Sequence, residues 1–149
     1  MRRSLIAGAS VLAAGAAWFV VADRMAEAET IRLRPDSLDV VTHGAQIYAA
    51  ACASCHGADL EGQPNWRSRN ADGRLPAPPH DETGHTWHHD ATALFQLTKV
   101  GVAEMIGDPG YSSDMPAFAD TLSDAEIVAV LSYIKSTWPA DIRARHDGL

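Results

Sequence analysis

The sequence is poor in cysteine: its 149 residues contain only Cys52 and Cys55. A structural zinc site needs about four ligands, and no second cysteine pair is present to complete one. A thioredoxin-like redox pair requires a βαβ context, whereas these cysteines lie in an alanine-rich stretch typical of helix. The missing second pair argues against a zinc site, and the helical context argues against a thioredoxin-like redox pair.

Positive charge is also scarce, with 12 Lys and Arg against 19 Asp and Glu and a formal net charge of −7. This balance argues against nucleic acid as a partner and favours solubility, and it could steer encounters with a basic protein. The length suits one small domain with an extension, because two domains would need a longer chain.

One long uncharged apolar run is present, at residues 5–22, after Arg2 and Arg3. A signal peptide has about 7–15 apolar residues and a small-x-small cleavage site, for which Ala26-Glu27-Ala28 is a candidate. A membrane span needs about 18 or more. We interpret residues 1–28 as a signal peptide or membrane anchor and favour the uncleaved anchor. The arginines would stay inside, which places the following domain in the periplasm, held at the inner membrane.

The rest of the chain divides into three parts. Residues 29–39 are polar and broken by Pro35, which predicts a linker. Residues 40–139 form the predicted globular domain, and residues 140–149 are the C-terminal tail.

The most informative motif is Cys52-Ala53-Ser54-Cys55-His56. Cys-x-x-Cys-His is the attachment signature of c-type haem. The two sulfurs can form thioether bonds to the two porphyrin vinyl groups, and His56 then lies where its imidazole can ligate the iron. The sequence therefore predicts one covalently bound haem c with its iron, and the haem consumes both cysteines.

Three helices are predicted from periodicity and capping signals, and no strand is needed. The first covers about residues 38–51, capped by Asp36 or Ser37, and the second covers residues 91–100, between Asp90 and Gly101. The last follows the capping box Ser123-Asp124-Ala125-Glu126 and ends at Pro139. Gly44 and Tyr48 of the first helix are expected to cross the last helix opposite Val130 and Tyr133.

The segment 57–82 is rich in glycine and proline and is predicted to be irregular. Irregular loops of this length are uncommon in small domains and usually have a function, and wrapping around a haem edge is one such function. The carbonyl of Pro78 or Pro79 could accept the proton from the far nitrogen of His56. Donors suited to the haem propionates also lie here: Trp66, Arg67, Arg69, Asn70 and Arg74.

Four of the seven histidines cluster within ten residues: His80, His85, His88 and His89. Histidine is the commonest metal ligand, so a copper or zinc site is one interpretation. The other is a cap over the haem edge, with Trp87 packed near it.

Taken together, these stretches resemble the class I cytochromes c, over about residues 40–138. The resemblance lies in Gly44-x3-Tyr48 before Cys-x-x-Cys-His, and in Met115-Pro116-Ala117-Phe118 about sixty residues later. The ending Tyr133-Ile-Lys-Ser-Thr-Trp-Pro139 is similar to that of bacterial single-haem members. The resemblance implies an all-α cytochrome c fold of short helices around one haem, with His56 as the proximal ligand and Met115 as the distal one. Met105 is the rival distal candidate.

The function expected from this resemblance is one-electron transfer in a respiratory-type chain, not enzymatic catalysis. Its partners would be a reductase, an oxidase or a dehydrogenase, of which the chain could also be the haem subunit. Two alternatives remain at this point. If Met115 does not bind, an open iron could serve a haem enzyme or a sensor of gas or peroxide. The histidine cluster could instead make the chain a copper-handling redox protein.

Overall fold

The computed structural model describes residues 30–149, and within that range it contains six α-helices, one 3₁₀ turn and no strand. The all-α prediction is confirmed. The helices are α1 (Leu38–Ala51), α2 (Ala53–His56), α3 (Ala91–Val100), α4 (Val102–Ile106), α5 (Asp124–Thr137) and α6 (Ala140–Asp147), with the 3₁₀ turn at Thr86–His88. The predicted apolar segment 5–22 lies outside the described residues. Among those that are described, no helix is long and apolar enough to cross a membrane.

The capping signals in the sequence predict the N-terminal starts of these helices correctly. The carboxylate of Asp90 accepts a hydrogen bond from the amide of Ala93 at 2.8 Å, which starts α3. At α5 both halves of the capping box form, because Ser123 and Glu126 each bind the other's amide. At α1, Ser37 occupies the capping position without a side-chain bond to the helix. These local bonds satisfy amide donors that a helix start would otherwise leave free.

The crossing of α1 and α5 is the most extensive helix contact of the domain. At its centre, a Cβ atom added to Gly44 would lie 2.1 Å from the carbonyl oxygen of Ala129 and 2.9 Å from Cβ of Tyr133. The two backbones therefore touch at a distance that only glycine permits. The predicted crossing is confirmed in its helices, although Ala129 rather than Val130 meets the glycine. The rings of Tyr48 and Tyr133 lie 5.5 Å apart beside it.

The apolar core is built around this crossing. Twelve buried side chains form one cluster: Ile47, Tyr48, Leu60, Leu94, Phe95, Ile127, Ala129, Val130, Leu131, Ile134, Trp138 and Ile142. Tyr48 is buried, and its hydroxyl donates to the carbonyl of Gly57 at 2.8 Å, while desolvation raises its pKa. This bond joins α1 to the segment that follows the Cys-x-x-Cys-His motif.

Both ends of the described chain pack on the domain. Before α1, Ile31 and Leu33 lie against the core, and the amide of Arg34 donates to the Ser132 hydroxyl at 2.9 Å. Part of the predicted linker is thus in contact with the domain. After Pro139, the predicted tail folds into α6, which contacts the 3₁₀ turn.

A buried polar cluster joins α5 to α6. The ammonium of Lys135, only 5 % exposed, lies 2.9 Å from Nδ1 of His146 and forms an ion pair with Asp147. Because an ammonium can only donate, Nδ1 of His146 must accept, so this ring is neutral. Burial and then the charge of Lys135 lower the pKa of His146, partly offset by Asp147 and Asp90.

The substitution Gly44→Ala tests the crossing. In an isolated helix this change would stabilise by about 1 kcal/mol. Here the new methyl group meets the backbone of Ala129, and we expect a net loss of about 1–3 kcal/mol in the free energy of unfolding, typical of overpacking. Denaturant unfolding measures it, with Gly110→Ala in an exposed loop as the control. Unchanged or greater stability of Gly44→Ala would refute the close contact.

The Lys135–His146 contact predicts a dependence of stability on pH. The pKa of His146 is lower in the folded protein than its ordinary value of about 6.5. As the pH decreases below this value, the unfolded chain therefore takes up the proton before the folded protein does. The free energy of unfolding decreases over this range. Thermal unfolding of the haem-loaded protein across this range should show a smaller slope for His146→Leu than for wild type. His43→Leu, at an exposed position of α1, is the control. Equal slopes in wild type and His146→Leu would contradict the buried, neutral ring.

Candidate functional site

The Cys-x-x-Cys-His motif lies at the junction of α1 and α2. Cys52 ends α1, and its amide still donates to the carbonyl of Tyr48 at 2.9 Å. The single turn of α2 then carries Cys55 and His56. Both thiols are free, with Cys52 half-buried and Cys55 exposed. Burial raises the pKa of Cys52 to about 11, so its thiol is protonated at neutral pH. Five consecutive residues at this helix junction therefore present two thiols and an imidazole.

The imidazole of His56 is fixed by a bond across the loop. It is 7 % exposed, and its Nδ1 lies 2.8 Å from the carbonyl oxygen of Pro78. Since a carbonyl only accepts, Nδ1 must carry the proton, and in the neutral ring Nε2 keeps its lone pair. Burial lowers the pKa of His56, which favours this neutral form, although the Pro78 bond opposes the shift. The expected partner carbonyl is thus the one of Pro78, not of Pro79.

Backbone bonds within segment 57–82 hold this arrangement. The carbonyl of His56 accepts from Gly62 at 2.7 Å, and the carbonyl of Leu60 accepts from His80 at 2.8 Å. Leu60 has a φ of 65°, a left-handed conformation that costs a non-glycine residue about 1–2 kcal/mol. Its buried side chain belongs to the core, which offsets that cost. The irregular loop is therefore an ordered scaffold that delivers the Pro78 carbonyl to His56.

His80 stacks on His56. The two ring centroids are 4.0 Å apart, and the ring planes differ by 22°. The rings of His80 and Tyr48 are T-shaped to each other, with centroids 6.2 Å apart. Desolvation, and then repulsion by His56 and His85, lowers the pKa of His80 well below its ordinary value. The sequence did not reveal this contact, because His56 and His80 are far apart along the chain.

The predicted distal ligand, Met115, lies in the segment between α4 and α5 and is partly buried. Its amide donates to the hydroxyl of Ser113 at 3.1 Å. The next residues are tied to α3, because the amide of Phe118 donates to the carbonyl of Thr98 at 3.1 Å. The rival Met105 lies on α4 with 40 % of its surface exposed. The segment that carries the thioether of Met115 is thus tied to α3 on its C-terminal side.

The loop donors proposed for haem propionates have protein partners in the structure. Arg74 forms an ion pair with Asp114, the residue before Met115. Arg69 donates to the carbonyl of Gly73 at 2.6 Å and lies over the ring of Tyr111. These contacts join segment 57–82 to the segment that carries Met115. The assignment of propionate partners stays a prediction.

The histidine cluster does not come together as a metal site. His85 stacks on Trp66 with centroids 5.2 Å apart, and His88 stacks on Trp87 at 3.7 Å. His80 faces His56 instead. Across residues 30–149, no group of three or more His, Cys, Asp or Glu side chains is arranged to hold a metal ion. Trp87 packs against the apolar core, and its expected position near the haem edge stays a prediction.

The residues present fit a c-type haem. The free thiols of Cys52 and Cys55 can take the two vinyl groups. The neutral imidazole of His56, with a lone pair on Nε2, is the next residue in the chain. The thioether of Met115 is available from another segment. Fold and site together define an α-helical c-type haem protein.

Comparison with protein families agrees with this class. The family model described as Cytochrome c matches residues 41–138, which is 98 of the 149 residues, and the chain belongs to that family. Members bind haem c covalently, with its iron, and generally transfer electrons. Neither the search of curated proteins nor that of solved structures gives a match.

The substitution Gly84→Ala tests the scaffold behind His56. A Cβ atom at Gly84 would lie 2.0 Å from the carbonyl oxygen of Pro79 and would push the Pro78–Pro79 segment away. We expect a loss of about 1–3 kcal/mol in unfolding free energy together with a shifted haem midpoint potential. Gly73→Ala is the control for the steric contact: its φ of 77° strains an alanine, but nothing lies within 4 Å of its Cβ position. A potential that moves equally in both variants would contradict the scaffold.

Proposed function

We propose that this chain is a one-electron carrier whose haem c is attached through Cys52 and Cys55 and ligated by His56 and Met115. The observation that carries the proposal is the state of His56. Its Nδ1–H is committed to the Pro78 carbonyl, so Nε2 remains the donor atom. In the sequence, His56 directly follows the second cysteine of the attachment motif.

The protein's part in electron transfer is to hold two ligands still. Bound haem supplies a one-electron iron couple. The Pro78 bond fixes the tautomer of His56 and increases its basicity. The thioether of Met115, a soft and weakly basic ligand, favours the ferrous state and raises the potential. With haem bound, ligation by both His56 and Met115 would leave no iron position open to substrate, and little rearrangement would accompany a change of charge.

The proposed setting is the periplasmic face of the inner membrane, with residues 5–22 as the anchor. The support is in the sequence, where two arginines precede the apolar run. The proposed partners are a reductase, oxidase or dehydrogenase of a respiratory-type chain, engaged through a small transient interface. The net charge of −7 favours a basic docking surface on at least one of them.

A fractionation experiment tests this setting. Haem-stained protein should remain with membranes after high-salt washing, and protease added to spheroplasts should digest it. Recovery in the soluble fraction after spheroplast lysis, protected from protease, would contradict both the anchor and the periplasmic location.

The substitution Met115→Ala tests the distal ligand. We expect the weak near-infrared sulfur-to-iron band of the oxidised protein to disappear, and the reduced protein to bind carbon monoxide rapidly. The midpoint potential should fall by about 0.1–0.2 V, within the roughly 0.8 V range that axial ligands set. Absorption spectra under controlled potential measure all three effects.

The matched control is Met105→Ala, which removes the other methionine of residues 30–149 from an exposed site on α4. It should leave the band and the potential unchanged. If Met105→Ala abolishes the band, the ligand assignment is wrong. If wild type itself lacks the band and binds carbon monoxide, the distal position is open, and the haem enzyme or sensor becomes the better interpretation.

A further inference from the structure

His80 lies where it can control the orientation of His56. The His56 ring turns about its Cα–Cβ and Cβ–Cγ bonds, and the hydrogen bond from Nδ1 to the Pro78 carbonyl restrains that rotation without fixing it, because such a bond tolerates a range of angles. The ring of His80, stacked at a centroid distance of 4.0 Å and 22° from parallel, blocks that rotation. The two contacts together restrict the orientation of the imidazole plane.

His80 can serve as a fixed surface only if it is itself immobile, and four contacts hold it. Its amide donates to the carbonyl of Leu60 at 2.8 Å, and its carbonyl accepts from Nε1 of Trp138 at 2.7 Å. Its Nδ1 shares a hydrogen bond of 2.8 Å with the hydroxyl of Thr86, which is buried. The rings of Tyr48 and His80 also pack in a T-shaped arrangement. Backbone and side chain are thus both fixed by residues of the core.

We propose that His80 is a positioning residue that sets the plane of the His56 imidazole at the haem iron. The inference rests on the proposed role of His56 as axial ligand. It adds a second residue of the histidine cluster to the haem site, in place of the metal site that the cluster suggested. The plane of an axial imidazole decides which iron d orbital its π system overlaps, so the electronic structure of the oxidised haem reports the orientation directly.

The primary test is His80→Leu, which fills similar volume without a flat ring face. In the haem-loaded protein, we expect altered g anisotropy in the low-temperature electron paramagnetic resonance spectrum and a changed pattern of haem-methyl proton shifts. Cysteine attachment and visible spectrum should remain. His80→Phe restores a flat ring without the imidazole nitrogens and should bring both signals back toward wild type.

Two further variants separate stacking from other effects. His88→Ala removes an exposed histidine of the same cluster that stacks on Trp87 and should leave both signals unchanged. Thr86→Val keeps the His80 ring but removes its hydroxyl partner, so the ring can tilt, and both signals should shift less than in His80→Leu. If neither His80 variant retains haem, Thr86→Val decides the question.

The proposal is overturned if folded His80→Leu keeps wild-type g values and methyl shifts. It is also overturned if Thr86→Val reproduces the full effect while His80→Phe restores nothing, because the hydrogen bond, not the ring face, would then be responsible. The wild-type spectrum alone tests histidine–methionine ligation, and differences among variants test His80, so failure of one proposal is distinguishable from failure of the other.

Discussion

The site depends on one hydrogen bond, from Nδ1 of His56 to the carbonyl of Pro78. It commits one ring nitrogen to the protein and leaves the other with its lone pair, which the proposed ligation of iron requires. A backbone carbonyl can serve in this way only if its segment is held in place. The bonds between His56 and Gly62 and between Leu60 and His80 do this, and the left-handed backbone at Leu60 is part of the cost. The long loop is therefore the structural support of the proposed ligand, His56.

The helical crossing supplies the second fixed element. Gly44 lets α1 approach the backbone of α5, and Tyr48, one turn later, donates its hydroxyl to Gly57 just beyond the attachment motif. Trp138 at the end of α5 donates to the carbonyl of His80. The same pair of helices thus braces both sides of the His56 environment, which gives a small domain a rigid site without a large core.

Sequence reasoning predicted the features that depend on local chemistry. The bounds of α1 and α3, the capping box at Ser123 and the crossing at Gly44 follow from side-chain periodicity and capping, and the structure agrees. The contacts it missed join distant residues through an irregular loop. The choice of Pro78 over Pro79, and the stacking of His80 on His56, depend on the path of segment 57–82, which no periodicity encodes. Helix α6 was missed because its few apolar residues give little helical pattern.

The most direct test of the account is nitrogen NMR of the reduced, haem-loaded protein with ¹⁵N-labelled histidine. The account predicts one histidine, His56, whose Nε2 has the shift of an iron-bound nitrogen and whose Nδ1–H is protected from exchange with solvent by its bond to Pro78. Loss of both signals in His56→Ala or failure of that variant to retain haem would agree with the assignment. An iron-bound histidine that remains without His56, or an Nδ1–H that exchanges freely in wild type, would contradict it.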